Sequence, residues 1–279
     1  AGVQKISSSI SIKNARINSR EVSKNDIFFA IKGKKNNGNK FVAQSFKRKA
    51  SLAVVNKIQN KLNIRRQIKV KDTLKFLTDV SKIFRKNIDT NIIAITGSCG
   101  KTTLKELLGN VLSKISKVSI SPKSYNNKFG VPLSLFNLKQ NDEYGILEVG
   151  MDKKGEIDYL SKIIEPDVGV ITNINYAHAK NFKSIKQIAL AKSEIIKNIR
   201  PNGFVVLNTD DNFFESHKKI AYKKNLKVIS FGIKSNKANI KLSSIKPLGK
   251  QFKINISFNN KNKYFLFSNN FQNNIYNIL

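Results

Sequence analysis

The sequence holds one cysteine, no tryptophan, two histidines, five prolines and only 18 acidic residues among its 279. A single cysteine, Cys99, excludes an internal disulfide and fits a reducing compartment. No apolar run is long enough to span a bilayer, and no secretory leader is read at the start. The expected setting is therefore cytoplasmic, with no membrane partner. Arginine is scarce too: 44 of the 51 basic residues are lysine and seven are arginine. Base-edge readout leans on the planar guanidinium, and neither Arg-rich stripes nor aromatic stacking platforms are found. The net charge of +33 thus falls short of a nucleic-acid argument. The lysines are scattered through every segment and mixed with Asn and Ile. That pattern reads as a bias towards AT-rich codons, with a basic solvated surface as its consequence.

What is present is concentrated in residues 91–103. An apolar run ends in Thr96-Gly97-Ser98-Cys99-Gly100-Lys101-Thr102-Thr103, and a helical pattern (Leu104, Leu107, Leu108, Val111, Leu112) follows at once. Strand, glycine loop and helix are the setting of a phosphate cradle. The glycines let the backbone turn and aim its N–H groups inward, and the new helix turns its positive end to the anion. Lys101 can reach terminal phosphates, and the Thr102 or Thr103 hydroxyl can hold magnesium. The bland alternative is a glycine turn with a surface lysine, which the flanking elements disfavour.

Three further positions carry chemistry. Glu148 closes a run predicted to be a central strand, at the sheet edge where ligands gather. There it is either a magnesium carboxylate or a surface glutamate. His178 follows another strand and is either a metal ligand or a loop residue. Lys192 falls in the apolar stripe of a helix predicted over 184–198, among Ile185, Ile188, Ile195 and Ile199. It either snorkels to solvent or points inward. Desolvation would then lower its pKa and make the amine nucleophilic towards carbon dioxide, giving a carbamate that can ligate magnesium.

Two regions separate along the chain. Residues 1–88 hold short strands (9–12, 26–31, 51–55) and helices over 40–49 and 73–86. After a linker at 86–91, strands at 92–96, 118–121, 145–149, 168–172, 204–207 and 228–231 alternate with helices, the rhythm of a doubly wound sheet. From 238 to 267 the apolar residues alternate (Phe252, Ile254, Ile256, Phe258), which predicts an antiparallel extension.

These motifs resemble the Mur ligases, the ATP-dependent amide-forming enzymes of peptidoglycan precursor synthesis. The matching segments include the glycine loop 97–103, Asn126-Asn127-Lys128-Phe129-Gly130-Val131-Pro132, Glu148-Val149-Gly150-Met151, Ala177-His178, Ala191-Lys192-Ser193-Glu194 and Asn208-Thr209-Asp210-Asp211. Asn18-Ser19-Arg20 and Asp26-Ile27-Phe28-Phe29-Ala30-Ile31-Lys32-Gly33 extend the likeness through the first region. The resemblance is strongest to the branch that adds D-alanyl-D-alanine to UDP-N-acetylmuramoyl-tripeptide.

It implies an α/β fold: a small N-terminal α/β domain for the UDP-sugar substrate (1–88), then a doubly wound, mostly parallel P-loop-type ATP-binding domain with an antiparallel extension (89–279). It also implies roles. Gly97, Ser98, Cys99, Gly100, Lys101, Thr102 and Thr103 would bind ATP phosphates, and Asn277 would lie near the adenine. Ser19 and Arg20 would contact the UDP-sugar. Thr102, Glu148, His178 and a carbamylated Lys192 would hold Mg2+, and Lys101, Lys192 and His178 would serve catalysis.

Asn18 stands where Asp is usual, Asn273 where His is usual, and Cys99 where a small polar residue is more common. Both ends read as cut, so a further C-terminal domain is expected to be absent and the chain alone inactive. A monomer is expected. The alternatives are a sister ligase adding a diamino acid, a folylpolyglutamate synthetase, and a basic P-loop nucleic-acid ATPase.

Overall fold

The computed structural model describes residues 10–33, 36–176, 181–258, 261–268 and 275–279. The chain divides into two compact units: Ala1–Ile88 with Pro132–Leu138, and Asp89–Val131 with Lys139–Leu279. The division expected from sequence, at 88/89, leaves 132–138 in the second region, whereas the fold gives that segment to the first.

The first unit is built on four parallel strands in chain order, β1 (Ala15–Arg16), β2 (Ile27–Phe29), β3 (Leu52–Val55) and β4 (Gln67–Lys69). β2 and β3 are uninterrupted apolar runs and fully buried, as parallel strands covered on both faces must be. One face packs Phe28, Ala53 and Val55 with Val42 of α1 (Val42–Lys47). Phe29 meets Phe76 of α2 (Thr73–Lys86) and Phe136, with ring centroids 6.4 and 6.3 Å apart. The Asp72 carboxylate starts α2 by accepting from the N–H groups of Leu74 and Lys75.

The second unit alternates strands β5 (Asn91–Thr96), β6 (Val118–Ile120), β7 (Tyr144–Glu148), β8 (Val168–Ile171), β9 (Phe204–Asn208) and β10 (Lys227–Gly232) with helices. These are α3 (Lys101–Leu112), α5 (Glu156–Ile164), α6 (Ile185–Lys192), α7 (Glu194–Lys197) and α8 (Phe214–Lys223), while α4 (Gly130–Phe136) passes from this unit into the first, which holds it from Pro132 onward. The parallel order is β6-β7-β5-β8-β9-β10. β11 (Ile240–Leu248) adds parallel to β10, and β12 (Gln251–Phe258) and β13 (Lys261–Ser268) follow antiparallel. The α/β class and the antiparallel extension match the expectation from sequence. Leu104, Leu108 and Leu112 of α3 pack over Ile93, Ile95, Ile146 and Val170.

The order reverses at β5, with β7 on one side and β8 on the other. Loops leaving the carboxyl ends of strands diverge at such a point and open a crevice. Among the described residues, no helix is long and apolar enough to cross a membrane.

Several elements differ from expectation. Among the described residues the first strand is Ala15–Arg16, where the chain pairs with β2; residues 10–12 are not a strand, and Ser9 of the predicted 9–12 lies outside the described residues. β4 has no counterpart in the sequence reading; Gln-Ile-Lys after two arginines shows no strand pattern and is ordered by pairing with β3. The helix predicted over 184–198 is two, broken at Ser193. Residues 275–277 form a 3-10 turn.

Candidate functional site

The loop after β5 turns on two glycines. Gly97 and Gly100 have φ of +148° and +82°, conformations that an L side chain rarely adopts. A Cβ on Gly97 would also stand 1.8 Å from Thr172 Oγ1. Gly100 leads directly into α3, whose first N–H groups lack intrahelical acceptors. The Lys101 ammonium curls back and donates to the Gly97 carbonyl at 3.0 Å. Cys99 is exposed, and its N–H donates to Asn173 Oδ1 at 3.0 Å.

Beside the loop, Glu148 ends β7 and is 2% exposed, which rules out the surface glutamate. Its two carboxylate oxygens accept from the Thr102 hydroxyl at 2.7 Å and the Asn126 amide at 2.8 Å. A buried carboxylate paired with a hydroxyl is an all-oxygen donor set, the chemistry that suits magnesium alongside nucleotide phosphates. Among the described residues no cluster of three His, Cys, Asp or Glu side chains that could hold a metal ion is found. A cleft of about 610 Å3 opens here, lined by Lys101, Asn126, Lys128, Gly150, Lys153 and Tyr159 among others.

Lys192 ends α6 and is 2% exposed, so it does not snorkel. Burial pushes its pKa down to about 7, with the Lys101 ammonium adding to the shift and Cys99 opposing it. Two lysines thus converge on one crevice, one of them with a substantial neutral fraction near pH 7. Two residues on, Glu194 accepts from the N–H groups of Gly155 and Asp158 and so caps α5.

Asp210 and Asp211, after β9, act on backbone. Asp210 accepts from the N–H groups of Ile233, Lys234 and Ser235. Burial alone would raise its carboxyl, but those N–H groups outweigh it and hold the pKa below the ordinary value. Asp211 Oδ2 accepts from Ile174 N–H at 2.7 Å. Asn277 stands over the phosphate loop, where a Cβ on Gly100 would lie 2.8 Å from its Oδ1. In the first unit, Ser19 is buried and donates to Gln44 Oε1 at 2.7 Å, while Arg20 is exposed. His178 and Asn273 lie outside the described residues.

The crevice therefore gathers the loop 97–103, Glu148, Lys192 and Asn277. Sequence reasoning missed the bracing loop 172–175. The available signal was the polar run Thr172-Asn173-Ile174-Asn175 directly after an apolar strand.

Residues 95–279 match the Mur ligase middle domain. The chain belongs to the Mur ligase family. It is 36% identical over 234 residues to the UDP-N-acetylmuramoyl-tripeptide–D-alanyl-D-alanine ligase of Buchnera aphidicola from Acyrthosiphon pisum, covering 82% of this chain and 50% of that relative. MurF from Acinetobacter baumannii superposes with a TM-score of 0.82 at 31% identity, covering 95% of this chain and 57% of that one. MurF ligase from Thermotoga maritima in complex with ADP gives a TM-score of 0.81 at 25% identity, covering 98% and 62%. The chain spans about half the length of the curated Mur ligase it matches here.

Proposed function

We propose that this chain binds ATP at the loop 97–103 and serves an ATP-dependent ligase that joins D-alanyl-D-alanine to UDP-N-acetylmuramoyl-tripeptide. The reading rests on one observation above all: Lys101 opens α3 beside the Thr102 hydroxyl, which donates to the buried Glu148 carboxylate, and the buried Lys192 is close enough to feel the Lys101 charge. The likeness to D-alanyl-D-alanine-adding relatives supports the choice of substrates. The first unit would take the UDP-sugar, through Arg20 and the turn that holds Ser19.

In this reading, ATP gives its γ-phosphoryl group to the terminal carboxylate of the UDP-linked peptide, forming an acyl phosphate and ADP. The amine of D-alanyl-D-alanine attacks the acyl carbon, phosphate leaves, and an amide forms. The N–H groups at the start of α3 orient the phosphates, and Lys101 leaves the Gly97 carbonyl to neutralise charge on the transferred group. Thr102 and Glu148 would hold Mg2+, with His178 as a further candidate ligand. That ion supplies charge neutralisation at the phosphates. The neutral Lys192 amine adds to carbon dioxide, forms an N–C bond and releases a proton, leaving a carbamate anion as a further oxygen donor. Asn277 would lie towards the adenine.

Calorimetry with Mg-ADP tests the nucleotide site. The parent should bind, and Lys101→Ala should weaken binding by about tenfold or more through loss of a charged hydrogen-bond donor. Unchanged affinity in a folded Lys101→Ala variant would sink the loop assignment. In the protein expressed from its gene, phosphate release should require both the UDP-linked tripeptide and D-alanyl-D-alanine. Ligation of a diamino acid to the UDP-linked dipeptide would reassign it to the sister activity.

A further inference from the structure

The loop after β8 is shaped as a mould for the phosphate loop, and Asn173 is its centre. The Asn173 carbonyl accepts from Ser98 N–H at 2.9 Å. Its side-chain Oδ1 accepts from Cys99 N–H at 3.0 Å, and its Nδ2 donates to the Cys99 carbonyl at 3.1 Å. One carboxamide therefore completes both backbone groups of Cys99, as a neighbouring strand would, just where the chain has left the sheet. The Thr172 hydroxyl donates to the same Cys99 carbonyl at 2.7 Å. Ser98 Oγ donates to the Asn175 carbonyl and accepts from Asn175 N–H, both at 2.9 Å. The mould is itself held from behind, since Asp211 accepts from Ile174 N–H through one oxygen and from Phe213 N–H through the other.

We propose that Asn173 is a positioning residue for nucleotide binding: without touching phosphate, it holds Ser98 and Cys99 so that the turn between Gly97 and Gly100 presents the start of α3. The inference rests on the nucleotide reading of the loop. A segment with two positive-φ glycines has much backbone freedom to lose on binding. A side chain that fixes it beforehand reduces that loss, which is preorganisation. The arrangement also defines which groups face the nucleotide. The N–H groups of Ser98 and Cys99 are taken by Asn173, so these two residues, expected from sequence to bind phosphate, do not offer it their backbone N–H groups.

Asn173→Ala should raise the Kd for Mg-ADP on the order of tenfold, the loss of two side-chain hydrogen bonds, while the melting temperature without nucleotide stays within a few degrees of the parent. Cys99 is exposed and supplies a second readout independent of nucleotide. Its alkylation by iodoacetamide should be faster in Asn173→Ala, because the Cys99 N–H loses its acceptor and the Cys99 carbonyl keeps only the Thr172 hydroxyl. Asn173→Asp keeps the acceptor and loses the donor, and should show a weakened Kd even if the alanine variant fails to fold. Parental Kd in either folded variant, with nucleotide binding by the parent, overturns the proposal. Failure of the parent to bind Mg-ADP at all overturns the nucleotide reading instead, and this proposal with it.

Discussion

Lys192 is a charged side chain held out of water by the fold. An ammonium at 2% exposure loses hydration, and the positive Lys101 nearby adds repulsion, so the amine releases its proton near pH 7 instead of near 10.5. Because the folded pKa lies below the unfolded one, the unfolded chain binds more protons between those values. The destabilising effect of the buried cation is full below about pH 7 and fades as pH rises towards 10.5. Carbamate formation needs the free amine, so ligation should fall as pH drops through about 7. Lys192→Ala should lose activity and regain part of it with short carboxylic acids such as acetate, which can stand in the missing anion's place. Full activity of the parent in carbon-dioxide-free buffer, with an unmodified lysine mass, would argue against the carbamate. The stripe of isoleucines makes this lysine conspicuous in the sequence. Its burial is not legible there, because periodicity marks one face of a helix and not what packs on that face.

At the scale of elements, the break between α6 and α7 puts the buried Lys192 at the end of one helix and the cap Glu194 at the start of the next. Ser193 Oγ donates back to the Leu190 carbonyl at 2.8 Å, and the chain bends after Lys192. The bend sends Glu194 to the start of α5, where it accepts from Gly155 and Asp158 N–H. A carboxylate there satisfies orphan donors and meets the positive helix end. Glu194→Ala should cost about 1–2 kcal/mol, a fall of several degrees in melting temperature, measurable by differential scanning calorimetry. An unchanged melting temperature would show that the cap is energetically idle. The sequence pattern predicts one continuous helix here. Gly155, the partner that favours the bend, lies 39 residues away, beyond the reach of local periodicity.

For the whole molecule, the excess of positive charge opposes folding in a way that no single contact relieves. After Glu215 the chain has no acidic residue and 13 lysines, and the net charge is +33. Such self-repulsion opposes the compact state. Salt shortens its range from about 30 Å at 0.01 M to about 8 Å at 0.15 M. The melting temperature should therefore rise between those salt concentrations; a flat or falling curve would mean that attractive pairs offset the repulsion. The alternation of strands and helices, the antiparallel extension, the phosphate loop and the candidate carboxylate at Glu148 were all determined by sequence alone. Each depends on residue type at short spacing: glycines that permit positive φ, apolar runs that must be covered, and periods of two or 3.6. Only the tertiary structure decided what those residues meet. It sank Glu148 and Lys192 out of water, committed the N–H of Cys99 to Asn173, assigned 132–138 to the first unit, and turned Glu194 into a helix cap. These outcomes depend on groups far apart in the chain whose approach is set by the strand order around β5, and no local pattern encodes that order.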